Sequence, residues 1–484
     1  MRRICQFVIV LVFCCVSLSL SSQKRLSFHE GKFKIAQFTD IHWDQKSSKC
    51  EQTIASIQAV LEAEHPDVAM LTGDIVTADP AEEGWNTIIG LFEAAELPFA
   101  VMMGNHDGEV LPKDKIYTRL RESPYFIGEK GPVDIQGFGN YVIPVYGSDG
   151  GNNPVALLYC LDSNDYPTIK EYGTYDWIHF NQIEWYRKQS AYYTKENGGQ
   201  LLPSLAFFHI PLPEYEEIVG AETTLGEMKE HGGSARINTG FFASLIEMGD
   251  VMCTFVGHNH NDDCIGMLYG KGLAYGRVSG WSAYGDFERG GRIIELREGK
   301  FEFDSWIRTP LGKEYTYYYP SGLTSKDEET MEYLPAISVN PKRQGVAYTY
   351  YEGTFKRTDQ IESGTKVKEG TMGNFSIDEA SSEDHFAYIF RTWINIPEKG
   401  VYRFYTYSDD GTRLRIDNKE VVDNDGGHNA RLARGKVALD AGFHELCVLY
   451  FEDYMGQELE VGISSRSILE QPLPDEMLYL PEEE

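Results

Sequence analysis

Seven side chains that can bind metal ions lie in five short segments of the first half of the chain. They are Asp40, His42, Asp74, Asn105, His209, His258 and His260. A mixture of carboxylate, amide and imidazole donors suits Mn, Fe or Zn better than Ca²⁺, which prefers oxygen ligands alone. Seven donors are enough for two ions held close together, and such a pair needs a bridging ligand. We expect Asp74, a single carboxylate directly after Gly73, to be that bridge.

Each of these segments ends a run of apolar, β-prone residues. The runs read KIAQFTDIH, VAMLTGD, FAVMMGNHD, SLAFFHI and VMCTFVGHNH. Buried parallel strands have this composition, and an α/β sheet places its ligand site at their carboxyl ends. Stretches with apolar residues at helical spacing, such as EQTIASIQAVLEAE, lie between the runs and indicate βαβ units. We therefore predict an α/β domain in which the seven donors converge on one edge.

The overall charge argues against one class of function. The 484 residues carry 44 basic and 74 acidic side chains, which gives a formal net charge of −30. A nucleic-acid-binding protein that works through a basic surface is not expected from this balance. The hydrophobic content of 42% indicates globular domains with substantial cores, and the length suggests about two to four domains. A phosphorylated substrate would have to be attracted by local cations, which bound metal ions supply.

The first 22 residues have the pattern of a secretory signal peptide. Arg2 and Arg3 precede an apolar run from Phe7 to Val16, and small residues follow it. A membrane anchor is the alternative, because the uncharged stretch is long enough to cross a bilayer. No later segment has the composition of a membrane span. We expect a secreted, periplasmic or cell-surface protein that has no membrane span after signal cleavage.

Five cysteines follow the predicted signal peptide, a small and odd number for a secreted chain. Cys160 and Cys253 lie in apolar strand runs and are interpreted as inert core thiols. Cys50 and Cys264 each come shortly after a segment with metal-binding residues. A disulfide between these two is conceivable, and free thiols are the alternative.

The composition divides the chain into several parts. We place the α/β domain at residues 30–308, because short β-like runs still follow the last donor segment. Residues 309–340 are rich in Pro, Tyr, Gly and charge, and are interpreted as a linker or a wrapped connection. Short strand-like runs separated by glycine and Asp/Asn turns predict an all-β sandwich over residues 341–470. Residues 471–484 are predicted to be a solvated acidic tail.

The order of the motifs resembles a known family. D-x-H, GD, GNHD, H and GHxH, over about residues 33–306, are similar to the calcineurin-like metallophosphoesterases. FFHIPLPEY, INTGFF, IEMGDV and GHNHNDDCIG, with YDWI upstream, resemble the branch of that superfamily that is like purple acid phosphatases. The resemblance implies a β-sandwich flanked by helices, in the layer order α-β-β-α.

The resemblance also implies a role for each donor. Asp40, His42, Asp74 and His260 would bind one metal, and Asp74, Asn105, His209 and His258 would bind the second. His106 would lie beside the substrate, and Asp107 would orient it. Purple acid phosphatases have a metal-binding tyrosine three residues after the GD aspartate, where this chain has Thr77. We therefore expect a colourless centre without the purple ferric tyrosinate.

The C-terminal half resembles a second family. GVYRFYTYSDDGTRLRIDNKEVVDNDGGH, with YYEG before it and LDAGFHELCVLYFE after it, is similar to a PA14 domain. In some PA14 adhesins, paired aspartates at this motif hold a Ca²⁺ that contacts a sugar, which would assign Asp409 and Asp410 to calcium and the domain to glycan binding. The alternative is a tight β-turn, in which Asp and Gly are the expected residues.

These observations lead to a functional hypothesis with alternatives. The first is hydrolysis of phosphate monoesters, in which a hydroxide that bridges two metals attacks phosphorus and His106 assists the leaving oxygen. Phosphodiesters are the second choice of substrate. A protein that mainly binds carbohydrate, with a vestigial phosphoesterase domain, is a different class of function. Four tyrosines in loops are candidates for contact with substrate or for structural roles, namely Tyr166, Tyr172, Tyr215 and Tyr284.

Overall fold

The computed structural model describes residues 25–480, so the predicted signal peptide lies outside the described residues. Apolar runs and amphipathic stretches of the first half alternate as strands and helices. The strands are β1 (Lys32–Phe38), β2 (Val68–Thr72), β3 (Phe99–Met102), β4 (Tyr141–Tyr146), β5 (Pro154–Cys160), β6 (Ser204–Phe207), β7 (Val251–Val256), β8 (Ile265–Leu268), β9 (Lys271–Tyr275), β10 (Gly291–Arg297), β11 (Phe303–Thr309), β12 (Gly312–Lys313), β13 (Tyr317–Tyr319) and β14 (Leu323–Thr324). The helices are α1 (Cys50–Glu64), α2 (Ala81–Ala94), α3 (Asp107–Val110), α4 (Lys113–Leu120), α5 (Phe180–Glu196), α6 (Phe241–Met248) and α7 (Ser325–Thr330).

These strands form two mixed sheets that pack face to face. One sheet has the order β14-β13-β11-β10-β1-β2-β3, with β12 paired to β11, and the other has the order β4-β5-β6-β7-β9-β8. A core that includes Ile35, Met70, Leu158 and Phe207 fills the space between them. Helices α1 and α2 cover the outer face of the first sheet, where Trp85 is buried. Helices α5 and α6 cover the outer face of the second. The predicted α-β-β-α layer order is confirmed.

The first domain extends beyond the boundary at residue 308 that we expected from composition. Strand β13 pairs with β11, and β14 pairs with β13. Tyr317 and Tyr319 of this segment are buried in the core between the two sheets. Part of the segment 309–340 is thus a wrapped connection that adds strands to the first sheet. Its Pro and charged residues obscured the alternation of buried tyrosines.

The second half of the described chain is a β-sandwich. Its strands are β15 (Tyr333–Leu334), β16 (Val346–Glu352), β17 (Thr365–Met372), β18 (Phe386–Ile396), β19 (Gly400–Asp409), β20 (Thr412–Ile416), β21 (Lys419–Asn424), β22 (Arg431–Leu439), β23 (Gly442–Glu452), β24 (Glu458–Ser465), β25 (Gln471–Pro472) and β26 (Leu478–Tyr479). One sheet has the order β15-β22-β19-β24-β25. The other has the order β17-β16-β18-β23-β20-β21, with β26 paired to β18. The predicted all-β sandwich is confirmed.

The end of the chain differs from the solvated tail that we expected over residues 471–484. Leu473, Met477 and Leu478 are buried in the core of the sandwich. Strand β26 pairs with β18 through Leu478 and Tyr479. The acidic residues dominate the composition of this segment, but its apolar residues are spaced so that they reach the core. Residues 481–484 lie outside the described part.

The cysteines of residues 25–480 are all free thiols, so the conceivable bridge between Cys50 and Cys264 is absent from this part of the chain. Cys50 packs against the core under α1 and α2, whereas Cys264 is buried in the core under α5 and α6. The two residues therefore belong to opposite outer layers of the domain. Cys160 and Cys253 are buried between the sheets, as predicted. Within residues 25–480, no helix has the length and apolarity that crossing a bilayer requires.

Candidate metal centre

The seven predicted donors meet where the two sheets of the first domain place the carboxyl ends of their parallel strands. Asp40 and His42 follow β1, Asp74 follows β2 and Asn105 follows β3. The remaining donors come from the second sheet, since His209 follows β6 and the pair His258 and His260 follows β7. Both sheets therefore contribute to one site. Residues that are more than 200 positions apart in the sequence lie within a few ångströms of each other because the sheets pack face to face.

Six of the seven donors form two groups of three. In the first, Asp40, His42 and His260 offer atoms within 4.8 Å of one another. In the second, Asp74, His209 and His258 do the same. Oδ2 of Asp74 lies 3.2 Å from Nε2 of His209 and 3.6 Å from Nε2 of His42. This carboxylate thus lies between the two groups, where a bridging ligand must be.

Several buried donor atoms of the site have no hydrogen-bond partner within residues 25–480. They are Oδ1 of Asp40, Nε2 of His42, Oδ1 of Asn105 and Nδ1 of His260. Buried polar atoms without partners are rare and unfavourable, so a cluster of them indicates donors that are placed to hold a ligand. Oxygen and nitrogen donors gathered in one buried cluster are what a pair of transition-metal ions would satisfy. These residues therefore fit the pair of metal ions that the motifs imply.

Neighbouring polar groups hold the rings of two histidines of the site, His209 and His42, in place. Nδ1 of His209 lies 2.7 Å from the carbonyl oxygen of Thr72, to which it can donate. Oγ1 of Thr77, the residue that replaces the expected tyrosine, lies 3.3 Å from Nδ1 of His42. Each contact engages Nδ1 and leaves Nε2 for an ion, which is how metal-binding histidines are usually held.

The backbone at the centre is held in an uncommon conformation. Asp40, His42, Asp74 and His258 have φ values of 51°, 44°, 51° and 76°. A residue with a side chain at positive φ is strained by about 1–3 kcal/mol and persists where the surrounding structure enforces it. The glycines before the donors are needed for close packing, because a Cβ on Gly73 would collide with the ring of His209.

Burial and mutual charge set the protonation of the donors. Burial alone would raise the pKa of Asp40, but the charge of His260 outweighs it and holds the pKa at about 2. Burial lowers the pKa of His42 to about 4 and, together with the charge of His209, that of His258 to about 3. These two imidazoles are therefore neutral at pH 7. Burial would also lower the pKa of His209, but the Asp74 carboxylate raises it to about 10. A cation that bound to His209 would have to displace a proton.

His106 lines the cleft that opens onto the centre, but Asp107 does not orient it. The buried Asp107 carboxylate accepts hydrogen bonds from the backbone N–H groups of Gly104, Asp74 and Ile75. Burial and the charge of Asp74 raise its pKa to about 7. Asp107 begins α3, where its side chain turns inward and ties two donor loops together. The prediction that it orients His106 is therefore wrong.

Glu109 takes the role that was expected of Asp107. Its Oε2 lies 3.0 Å from Nδ1 of His106, and its Oε1 accepts a hydrogen bond of 2.8 Å from the hydroxyl of Tyr166. The Tyr166 hydroxyl in turn accepts a 3.0 Å hydrogen bond from Nδ2 of Asn105. A chain of contacts thus runs from the amide of Asn105 to the imidazole of His106. It turns the amide oxygen of Asn105 away from Tyr166, where it is free to bind an ion.

An open cleft of about 540 Å³ leads to the donors. Tyr284 stacks on the ring of His260 with centroids 3.9 Å apart, and Tyr175 meets the ring of His258 edge-on at 4.4 Å. Glu230 lines the cleft and accepts a hydrogen bond from the Tyr284 hydroxyl. His231 lines it as well. Sequence reasoning missed Tyr175, Glu230 and His231, although Tyr175 lies in the quoted motif YDWI.

The four candidate tyrosines lie in different environments. Tyr284 lines the cleft, and the hydroxyl of Tyr166 accepts a hydrogen bond from Asn105. Tyr172 is 43% exposed and packs beside the ring of Trp177. Tyr215 is buried, and its hydroxyl lies 2.7 Å from Oγ1 of Thr254. The structural role that we weighed as an alternative is thus the better description of Tyr172 and Tyr215.

A third group of acidic side chains lies in the second domain. Asp409 and Asp410 are joined by a cis peptide bond and lie close to the buried Glu452, which sequence reasoning missed. Burial and the two aspartates raise the pKa of Glu452 to about 8. Oδ1 of Asp410 accepts a hydrogen bond from the backbone N–H of His428. Three carboxylates in one group are the donors that Ca²⁺ prefers.

Comparisons with known proteins agree with the geometry. Residues 33–262 match the family model described as calcineurin-like phosphoesterase. A protein of Arabidopsis thaliana with the name Probable inactive purple acid phosphatase 29 is 31% identical over 338 residues, which cover 62% of this chain and 87% of that protein. The chain belongs to the calcineurin-like phosphoesterase family. Within that family it is a member of the purple-acid-phosphatase-like branch, as its motifs indicated.

Other matches define this calcineurin-like phosphoesterase further. Residues 342–469 match the PA14 domain. Probable inactive purple acid phosphatase 28 of Arabidopsis thaliana is 30% identical over 352 residues, which cover 65% of this chain and 88% of that protein. Phosphatase DCR2 of Saccharomyces cerevisiae is 29% identical over 348 residues, which cover 64% of this chain and 59% of that protein. The predicted combination of a calcineurin-like phosphoesterase domain with a C-terminal PA14 domain is confirmed.

Proposed function

We propose that this protein is a secreted phosphoesterase that uses two metal ions to hydrolyse phosphate monoesters. The observation that carries the proposal is the arrangement of six donors in two groups of three, with the carboxylate of Asp74 between them. The unpartnered atoms at Asp40, His42 and Asn105 support it, because a protein without use for metal ions would have no reason to keep them. Secretion is proposed on the signal-peptide pattern of residues 1–22.

The donors would divide between two ions. Asp40, His42 and His260 would hold one, and His209, His258 and Asn105 would hold the other, with Asp74 shared. Mn, Fe or Zn fits the mixed oxygen and nitrogen donors. When bound, the ions supply an activated water and neutralise charge on the phosphoryl group. Thr77 offers no phenolate, so a colourless centre stays our prediction.

His106 is the residue of this chain that is placed to handle a proton of the substrate. Its imidazole lines the cleft with its side chain 40% exposed. Glu109 engages Nδ1, so Nε2 remains to donate to the leaving oxygen. The rings of Tyr284, stacked on His260, and Tyr175, edge-on to His258, line the cleft and would limit how the group attached to phosphate can lie.

The proposal is tested with purified full-length protein loaded with Mn, Fe or Zn in turn. We expect p-nitrophenyl phosphate to be hydrolysed faster than bis-p-nitrophenyl phosphate. Asp74→Asn should lower the metal-dependent rate by about a hundredfold or more, since even residues that only hold metal ligands in place contribute about 10- to 100-fold. Asp114→Asn, an exposed aspartate of the same domain, is the matched control. Undiminished activity of Asp74→Asn would show that the proposed centre is not the catalyst.

Faster hydrolysis of the diester by the same centre would replace our first choice of substrate with the second. The metal content of each variant, measured by mass spectrometry, separates loss of ions from loss of chemistry. A protein that binds two ions but turns over neither ester would be a vestigial phosphoesterase.

A carbohydrate-binding function of the second domain is the other candidate. The names of two similar plant proteins include the words probable inactive, which favours weighing it. The group formed by Asp409, Asp410 and Glu452 would hold Ca²⁺ beside a sugar. Binding to a glycan array with and without a calcium chelator tests this. Calcium-dependent glycan binding that Asp410→Asn abolishes would support this function. Glycan binding that neither the chelator nor Asp410→Asn changes would favour the interpretation of the motif as a tight β-turn.

A further inference from the structure

A groove of about 530 Å³ lies at the junction of the two domains. The turn between β8 and β9 and the turn between β10 and β11, which includes Lys300, form its wall on the first domain. Arg403 of β19, Arg434 of β22 and Ser464 of β24 form its wall on the second. Four cationic side chains line it, namely Lys300, Arg403, Arg434 and Arg466, against two carboxylates, Glu302 and Glu470. A cationic groove is unexpected on a chain with a net charge of −30.

The groove is separate from both sites described above. Lys32 pairs with Arg297 and Gln37 pairs with Arg292, so the turn after β10 lies at the end of the sheet opposite the metal centre. On the second domain, Arg403 and Asp409 are six residues apart on one strand, which is about 20 Å at roughly 3.3 Å per residue. Any ligand of the groove would therefore bind independently of the two metal groups and of the acidic group.

Arg403 is the central side chain of the groove. It is only 3% exposed, and its Nη2 lies 3.3 Å from Oε2 of Glu470. Its Nε and Nη1 have no hydrogen-bond partner in the described part of the chain. A buried guanidinium has five N–H donors, and leaving part of this fork unsatisfied is costly. The structure thus holds a buried cation whose donors are incompletely used.

Glu470 does not fully neutralise Arg403, because its carboxylate is also paired with a second arginine, Arg434. Arg434 donates to both carboxylate oxygens of Glu470, at 2.8 Å and 2.6 Å. Burial would raise the pKa of Glu470, but Arg434 and then Arg403 outweigh it and lower that pKa. One carboxylate therefore serves two guanidinium groups. A second negative charge would complete the pairing.

Ser464 lies beside Arg403, and its side chain also lacks a hydrogen-bond partner within the described residues. The two residues are directly opposite each other in the pairing of β19 with β24, so their side chains lie on the same face of the sheet. The Ser464 hydroxyl is buried and has no partner within the described residues. A hydroxyl next to a guanidinium fork offers the set of donors that recognises an oxyanion.

We propose that this groove binds a tetrahedral oxyanion, phosphate or sulfate, either free or as the ester group of a sugar. Arg403 and Ser464 line the groove, but their unsatisfied donor atoms are buried, so these side chains would turn toward the groove to bind the anion. Lys300 and Arg466 lie at the rim, where Glu302 is 3.7 Å from Lys300 and Asp304 is 3.4 Å from Arg466. The volume exceeds what a free ion needs and lies in the range of pockets that enclose small organic ligands. A phosphorylated monosaccharide is the ligand that fits both the charge and the space.

The test is calorimetric titration of chelator-treated full-length protein, in which no metal-dependent turnover can occur. The probes are glucose 6-phosphate, inorganic phosphate and glucose. We expect one molecule of glucose 6-phosphate to bind per chain and glucose not to bind. Tighter binding of the ester than of inorganic phosphate assigns the site to phosphorylated sugars, and equal binding assigns it to the free ion.

Variants place the binding in the groove. Arg403→Gln should weaken it by about 30-fold or more, as loss of one partner of a buried charged contact does. Ser464→Ala removes one neutral donor and should weaken it less, which keeps the test valid if Arg403→Gln does not fold. Arg391→Gln, an exposed arginine of the opposite sheet, and His209→Ala of the metal centre should bind as the unchanged protein does. Failure of both phosphates to bind, binding that survives Arg403→Gln and Ser464→Ala, or binding that His209→Ala abolishes would overturn the proposal.

Discussion

Oε2 of Glu109 lies 3.0 Å from Nδ1 of His106, and the other oxygen of the same carboxylate accepts a hydrogen bond from Tyr166. One carboxylate therefore contacts both the imidazole of His106, which lines the cleft, and the hydroxyl of Tyr166, which accepts a hydrogen bond from Asn105. Because the two contacts use different oxygens, the rotation of the Glu109 carboxylate is restricted. The proton transfer proposed for His106 and the metal binding proposed for Asn105 are thus connected through one carboxylate.

Replacement of the carboxylate should impair the chemical step. Glu109→Gln keeps the shape but removes the charge that favours protonated His106, so we expect kcat to fall by about tenfold, less than loss of the general acid itself. KM should change little, because Glu109 does not line the cleft. Glu122→Gln, an exposed glutamate paired with Arg119, is the control. Steady-state kinetics that show only a change in KM would contradict a positioning role.

Replacement of Tyr166 should weaken metal binding rather than proton transfer by His106. Tyr166→Phe removes the acceptor of the Asn105 amide, so Asn105 is free to rotate its oxygen away from the ion. We expect the metal concentration needed for half-maximal activity to rise by about 10-fold, within the range known for residues that orient metal ligands. Tyr172→Phe is the matched control, because Tyr172 is exposed and packs beside Trp177. Equal metal titrations for the two variants would rule out this role.

Alanine substitutions at two glycines distinguish the effect of backbone strain on stability from that of a steric collision. Gly73 and Gly270 have φ values of 89° and 76°, but only a Cβ at Gly73 would strike a side chain, that of His209. Gly270→Ala should lower the free energy of unfolding by about 1–2 kcal/mol through strain alone and leave metal content unchanged. Gly73→Ala should lower it further and also abolish binding at the second group. Urea unfolding and metal analysis of both proteins check this, and a metal-replete Gly73→Ala protein would refute it.

His444 should make the second domain less stable as pH rises. Its buried imidazole contacts Oδ2 of Asp417 at 2.6 Å and the carbonyl oxygen of Asp440 at 2.9 Å. Burial alone would lower its pKa, but these two partners raise it above the ordinary value of 6.5. A raised pKa in the folded state means that the stabilisation is complete below pH 6.5 and is lost as pH rises through the folded pKa.

Hydrogen exchange of peptides from β18 and β23, corrected for the intrinsic pH dependence, measures that loss. Protection should decline above neutral pH in the unchanged protein and should be flatter in His444→Gln. His29→Gln, whose side chain is 75% exposed, should follow the unchanged protein. The same pH dependence in all three proteins would exclude His444 as the cause.

The donors of the metal centre could be predicted because their positions follow from backbone geometry. Asp40, Asp74 and His209 each come directly after a buried strand, and parallel strands bring such residues to one edge whatever the loops do. The contacts of His106 could not be read in the same way. Asp107 is its neighbour in sequence but points toward the backbone, whereas Glu109, three residues away, lies on the same side of the turn. The i, i+3 spacing was the available signal.

Cleft residues such as Glu230 were not predictable, since they lie in long loops without periodicity. The same holds for Glu452, which is far from Asp409 in sequence and approaches it because β20, which follows Asp409 and Asp410, pairs with β23. The burial of Leu473 and Leu478 was missed for another reason. Their segment has an acidic composition, and an average over the segment conceals a few apolar side chains that fill the core.

The left-handed backbone at Asp40, His42, Asp74 and His258 has an evolutionary consequence. Glycine and asparagine adopt this conformation with the least strain, and neither provides the charge or the imidazole that the ions need. At His42 and His258, whose imidazoles are neutral at pH 7, mutations to those residues would relieve strain without breaking a charged contact and would leave both sheets intact. Loss of catalysis in such a lineage would therefore be accompanied by a gain in folding stability, and only continued selection for activity would oppose that drift.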